Sequence, residues 1–175
     1  MDYLTVCDKN DDRKECGTRT KDNYVFDTLP KKTFDMFNDI CSNLNSRAYF
    51  KMDFDVMIDK EYMAKVIRHM VDNSEKRIYF GDPMTYEKDR AVAMNGKIYG
   101  MTRKLMSDYC KCGVKRPNTG LEDIWFGFQI SDCVKKKFEG KVVYSLLNVD
   151  NSKLFHKNYT DKGVRLQLGR FVKRL

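Results

Sequence analysis

Apolar positions along the chain alternate between helical and extended periods. In PKKTFDMFNDICSNL, from Pro30 to Leu44, the residues Phe34, Phe37, Ile40, Cys41 and Leu44 recur at three- and four-residue spacing. That spacing predicts a helix, with proline in the first turn where its missing N–H costs nothing. RAYFKMDFDVMID follows, and its aromatic and β-branched residues predict a short buried strand running into a loop, with Asp53 and Asp55 at its far end. Asp59 is placed to cap KEYMAKVIRHMVD, where Tyr62, Met63, Val66, Ile67 and Met70 form one apolar face. A strand in RIYFGDP is expected to end at Gly81 and Pro83, and a further apolar run, GKIYGMT, leads into helical RKLMSDYC. After the glycine- and proline-containing loop KCGVKRPNTG, the segment LEDIWFGFQISDCV is expected to be helical from about Glu122 despite Gly127, and KVVYSLL reads as another strand.

Strands alternating with helices through short connections argue for an α/β fold, a sheet with helices on its faces. The polar stretch 1–21 is expected to be irregular, leaving 22–175 as one domain without internal repeats or linkers. A chain of 175 residues has room for one α/β core but is short for a complete two-substrate enzyme.

Composition narrows the function classes. Hydrophobic residues at 42% against charged residues at 33% exclude the signature of disorder. The net charge of +8 admits polyanionic partners: nucleic acid, a membrane surface or a diphosphate. The longest cationic run is Lys135, Lys136 and Lys137, and most other cations are mixed with Asp and Glu, so no nucleic acid is expected as partner and a basic nucleic-acid-binding domain is only the third reading. No stretch approaches the roughly 20 apolar residues of a transmembrane helix, and the opening residues have no signal-peptide apolar region. Six cysteines are present; Cys110 and Cys112 are spaced C-x-C without a ligand histidine close behind, which argues against structural zinc. The expectation is free or singly paired thiols, with the compartment left open.

Three features offer chemistry. Asp53-Phe54-Asp55 follows a hydrophobic strand, where carboxylates face the ligand crevice of open α/β sheets and suit hard cations such as magnesium or manganese; solvated turn carboxylates are the plainer explanation. Glu122-Asp123 precedes the aromatic run Ile124-Trp125-Phe126 and follows Gly120. An acidic pair there either satisfies the dipole of a helix start or supplies a general base. His156, one of two histidines, stands in the polar LFHKNYTDKG, either as a surface residue or as a ligand for a borderline metal. His69, inside a helix, is expected on its surface. The sequon Asn158-Tyr159-Thr160 lies two residues beyond His156.

In order, these features resemble the motifs of the β-1,3-glycosyltransferase family, which includes galactosyl- and N-acetylglucosaminyltransferases and the Fringe enzymes. DNYVFDTLPKKTFDMFNDIC resembles the family's Asp-x-Tyr-x-Asn-Leu-x-x-Lys-Thr segment and its helix ending in Cys, and YFKMDFDVMID resembles Lys-x-Asp-Asp-Asp-Val. RIYFGDP, NGKIYGMTRKLMSDY and LEDIWFGFQIS resemble, in turn, the strand ending in Gly, the Gly-Gly-Tyr-x-x-Ser segment and Glu-Asp-Val-x-x-Gly. Five matches run from about Asp22 to Ser131. Phe54 departs from the family's central aspartate, Asn95-Gly96-Lys97 from its glycine-rich run, and Thr102 from its serine.

The resemblance implies a GT-A-like, Rossmann-like mixed sheet flanked by helices, incomplete on the amino-terminal side because the family's first strand and helix have no counterpart before Asp22. It implies inverting transfer of a hexose or N-acetylhexosamine from a UDP-sugar donor to a glycan or glycoprotein acceptor, with Mn2+ or Mg2+ as cofactor, in the Golgi or another secretory lumen. Asp53, Asp55 and Lys51 then fall on the nucleotide-binding motif, Asp53, Asp55 and His156 on the metal positions, and Asp123 and Glu122 on the acidic catalytic motif. The runner-up is an inactive glycosyltransferase-like binding or interaction domain, or a fragment.

Overall fold

The central sheet is built from strands whose alternate residues are apolar on both faces, so it is covered on both sides. In this computed structural model, which describes residues 4–86, 91–137, 144–160 and 163–168, its order is β3 (Ala48–Met52), β6 (Ala91–Thr102), β5 (Ile78–Tyr86) and β7 (Ser145–Asn148). The β3–β6 and β6–β5 pairs are antiparallel and β5–β7 is parallel, a mixed sheet. The strand period of two sends Tyr79, Tyr99 and Met101 to one face and Ile78, Phe80 and Ile98 to the other. On the first face they join Phe37, Leu105, Met106, Tyr109, Phe126 and Ile130 from α1 (Leu29–Ser42), α3 (Arg103–Cys110) and α4 (Glu122–Lys137). On the second they meet Met63, Val66 and Met70 of α2 (Lys60–Asp72).

A smaller antiparallel sheet has the order β4 (Val56–Ile58), β8 (Leu154–Thr160) and β9 (Gly163–Leu168). It abuts the α2 side through Val56 and Leu154. Two parallel two-residue strands, β1 (Val6–Cys7) and β2 (Thr18–Arg19), pair near the amino terminus.

The helices expected from periodicity form where the apolar stripes lie. The α2 helix is capped as its sequence suggests, Tyr62 N–H donating to the Asp59 carboxylate at 2.9 Å. Gly127 has a packing reason: a Cβ there would lie 2.5 Å from the Ala93 Cα and 2.9 Å from the Val92 carbonyl, so its absence lets α4 approach β6. Gly127→Ala is therefore expected to destabilise the chain by about 1–3 kcal/mol, more than helix propensity would return; an unchanged or raised thermal midpoint would show that the two backbones separate without cost.

Several expectations are corrected. Asp53 and Asp55, expected at the far end of a buried strand, do follow one, but among the described residues β3 has only β6 as a neighbour, so it forms the sheet's edge and is half-buried. The RIYFGDP strand does not stop at Gly81 and Pro83; it continues to Tyr86 across a register shift between those residues, a bulge. The stretch after Asp55 is not all loop, since Val56–Ile58 finds a partner in β8. Within stretch 1–21, the described residues 4–21 are mostly turn and coil around the short β1 and β2, and Cys7 is fully buried. All six cysteines are paired, Cys7–Cys16, Cys41–Cys110 and Cys112–Cys133, rather than free or singly paired. Of KVVYSLL, the residues Lys141 to Val143 lie outside those described, as do the side chains of the sequon at Asn158.

Candidate active site

Side chains alternate along β3, so Phe50 turns toward α2, where it meets Phe80 at 5.9 Å between ring centroids, and Lys51 turns toward α4. The Lys51 ammonium donates to Asp53 Oδ1 at 2.6 Å, to the Gly96 carbonyl at 3.1 Å and to Glu122 Oε2 at 3.1 Å. It also stands 5.6 Å from the centroid of the Tyr99 ring. Burial by itself would lower the Lys51 pKa, but the carboxylates of Glu122 and Asp53 outweigh it and raise the pKa above the ordinary lysine value. Asp53 is shifted up, first by burial and against the pull of Lys51.

Past Met52 the chain turns. Asp53 N–H donates to the Lys97 carbonyl at 3.0 Å, and Val56 N–H donates to the Asp53 carbonyl at 3.2 Å. Phe54, at the tip, is 80% exposed. The β4–β8 register then sets Val56 opposite His156, and Lys157 N–H donates to the Asp55 carbonyl at 2.8 Å. His156 Nε2 consequently lies 3.2 Å from Asp55 Oδ2. The buried Nδ1 of His156 has no hydrogen-bond partner among the described residues.

Glu122 and Asp123 open α4, but their surroundings differ. Glu122 is 8% exposed and accepts from Thr33 Oγ1 at 3.0 Å, from the Tyr99 hydroxyl and from Lys51. Burial first, and then the charge of Glu122, push the Tyr99 phenol well above its ordinary pKa, so it stays a donor. Asp123 is half-buried; its Oδ2 accepts the Gly96 N–H at 3.1 Å and its Oδ1 the Ile124 N–H at 2.8 Å. Gly96 thus receives Lys51 at its carbonyl and gives its N–H to Asp123, joining the two acidic motifs.

A continuous polar row results: Asp123, Gly96, Glu122, Lys51 and Asp53, with Asp55 and His156 around the turn. Asp53, Asp55 and His156 are the donor types of a manganese or magnesium site; the His156 nitrogen beside Asp55 is Nε2, and the orphaned Nδ1 is the other, buried ring nitrogen. Their carboxylates are turned toward Lys51 and His156 respectively, so ligation calls for side-chain rotation. Among the described residues the only close ligand grouping is Cys7, Asp11 and Cys16, whose two sulfurs are joined in a disulfide. His69 is exposed on α2, as its position in that helix suggests.

Thr33, Gly96, Lys97 and Tyr99 escaped the sequence reading as site residues. Gly96, Lys97 and Tyr99 stand in NGKIYGMTRKLMSDY, one of the motif segments, without being singled out there as site residues. Thr33 stands in the Lys-Thr pair of another motif segment. No helix among the described residues is long and apolar enough to cross a membrane. No protein-family model and no curated protein matches the chain.

Proposed function

We propose that the chain is the nucleotide-sugar-binding and catalytic part of a glycosyltransferase, moving a hexose or N-acetylhexosamine from a UDP-sugar to a hydroxyl of a glycan or glycoprotein acceptor with inversion. The observation that carries this reading is the Lys51 bridge: two acidic motifs nearly seventy residues apart in sequence converge on one ammonium, which brings them into one place. The pairing of His156 with Asp55 supports it, and the three disulfides support a secretory compartment.

Asp53, Asp55 and His156 would hold Mn2+ or Mg2+, which supplies charge neutralisation to the departing diphosphate. Lys51 adds a fixed positive charge beside them. Asp123 takes the proton of the acceptor hydroxyl as its oxygen forms the new bond to the anomeric carbon, while the bond from that carbon to the diphosphate breaks and UDP leaves. Asp123 is preferred to Glu122 as the base because Glu122 is enclosed by three donors, whereas Asp123 is half-buried and each of its oxygens retains acceptor capacity. Glu122 instead orients Lys51.

A second reading, a glycosyltransferase-like binding domain without activity, is favoured by one observation: both Asp123 oxygens accept backbone N–H groups, an arrangement that also serves a helix start. Thermal melting with UDP and Mn2+, separately and together, tests the proposal. The pair is expected to raise stability more than either alone, by about 2.7 kcal/mol at a ligand concentration 100 times Kd, and Asp55→Asn to abolish the synergy. Melting unmoved by saturating UDP and Mn2+ would overturn the first reading and favour an inactive domain or fragment; a shift without sugar transfer would select a binding domain.

A further inference from the structure

We infer that Lys97 is a positioning residue, a buried ammonium that holds the Asp53 turn and the His156 strand in one frame. Its relevance to metal binding rests on the ligand set of the proposed function; the frame itself does not. Lys97 is 6% exposed, and its backbone carbonyl receives the Asp53 N–H at 3.0 Å. Its side chain runs the other way, donating to Asn151 Oδ1 at 3.3 Å and lying 3.6 Å from the carboxylate of Asp82.

Both partners occupy special places in the chain. Asp82, 7% exposed, stands in the β5 bulge, where the register shift re-aims a side chain that a regular ladder would point elsewhere. Asn151 opens the 3₁₀ turn Asn151–Lys153 that feeds directly into β8. The Lys153 carbonyl accepts the Asp59 N–H at 2.9 Å, closing the frame from the far end of β4, and His156 follows three residues later. One residue therefore touches the segment that presents Asp53 and the segment that presents His156.

The chemistry supports a geometric role. A buried ammonium is retained against its desolvation cost only with good partners, and an apolar residue of similar volume would fill the space with less penalty. What an apolar residue would not do is fix the direction of Asn151 relative to the β6 backbone. Partners one shell out from a ligand set orient it in this way.

Asn151→Ala tests the inference in the full chain, because it cuts the link to the 3₁₀ turn while leaving Lys97 opposite Asp82. Without metal, the Asp53 backbone amide and the His156 ring signals in nuclear magnetic resonance spectra are expected to shift together, with the melting temperature close to that of the unmutated chain. With Mn2+ alone, affinity should fall about 10–100-fold, and Asn151→Asp, which keeps the acceptor oxygen, should restore both signals and affinity. Lys97→Met should move the same signals if it folds, but it also removes the ion pair with Asp82, so Asn151→Ala carries the decision. An unmoved Asp53 amide in Asn151→Ala overturns the positioning role. If the unmutated chain binds no Mn2+ but the two signals still shift together, the frame stands and the metal reading falls.

Discussion

Asp123→Asn is expected to lower sugar transfer about 10²–10⁴-fold while leaving UDP affinity nearly unchanged, because a general base acts in the transition state and not in donor binding. Asparagine retains one carbonyl oxygen for a backbone N–H, so the start of α4 should survive the substitution. The contrast that gives the experiment its force is with the turn residues. Asp53→Asn and Asp55→Asn should weaken UDP binding in the presence of Mn2+, since those side chains belong to the donor side. Turnover in Asp123→Asn equal to that of the unmutated chain would reduce the acidic pair to a helix-start feature and remove the proposed base.

Lys51→Met should cost about 3 kcal/mol of stability, the lower end of what breaking a buried ion pair costs, since the lysine side chain is 17% exposed. The loss arises less from the bridge itself than from what remains: Glu122, buried between Thr33 and Tyr99, would keep its charge without a cation. For a chain of this size that corresponds to a drop of about 6–12 °C in melting temperature. Glu122→Gln should be damaging for the same reason, and the double variant should lose less than the sum of the two, because either change alone leaves a partner stranded. Additive losses would mean that Lys51 and Glu122 act independently, and Lys51→Met melting within a degree of the unmutated chain would show that the bridge does not hold the site.

The local elements were legible from neighbouring residues alone. α2, α3 and the start of α4 formed where apolar residues recur at helical spacing and where Asp59 offers a cap, since those preferences depend on neighbours a few residues away. The sequence also marked Asp53, Asp55, Glu122, Asp123 and His156 as separate chemical features. Their relation to one another was another matter. That β3 is an edge strand depends on its having no neighbour besides β6 among the described residues, and the bulge at Asp82 depends on the register between β5 and β6. His156 reaches Asp55 only because β8 adds to β4, a pairing that no local pattern specifies.

The meeting of Lys51 with Glu122 required α4 to come down on β6 at Gly127 and to carry its first turn to the end of β3. Tyr99 and Thr33 became part of the site by the same docking, one from a strand and one from α1. Helix and strand preferences are settled by energies within a few residues, whereas these contacts are settled by how distant apolar faces pack. The tertiary structure alone therefore decided which of the marked residues share one polar row.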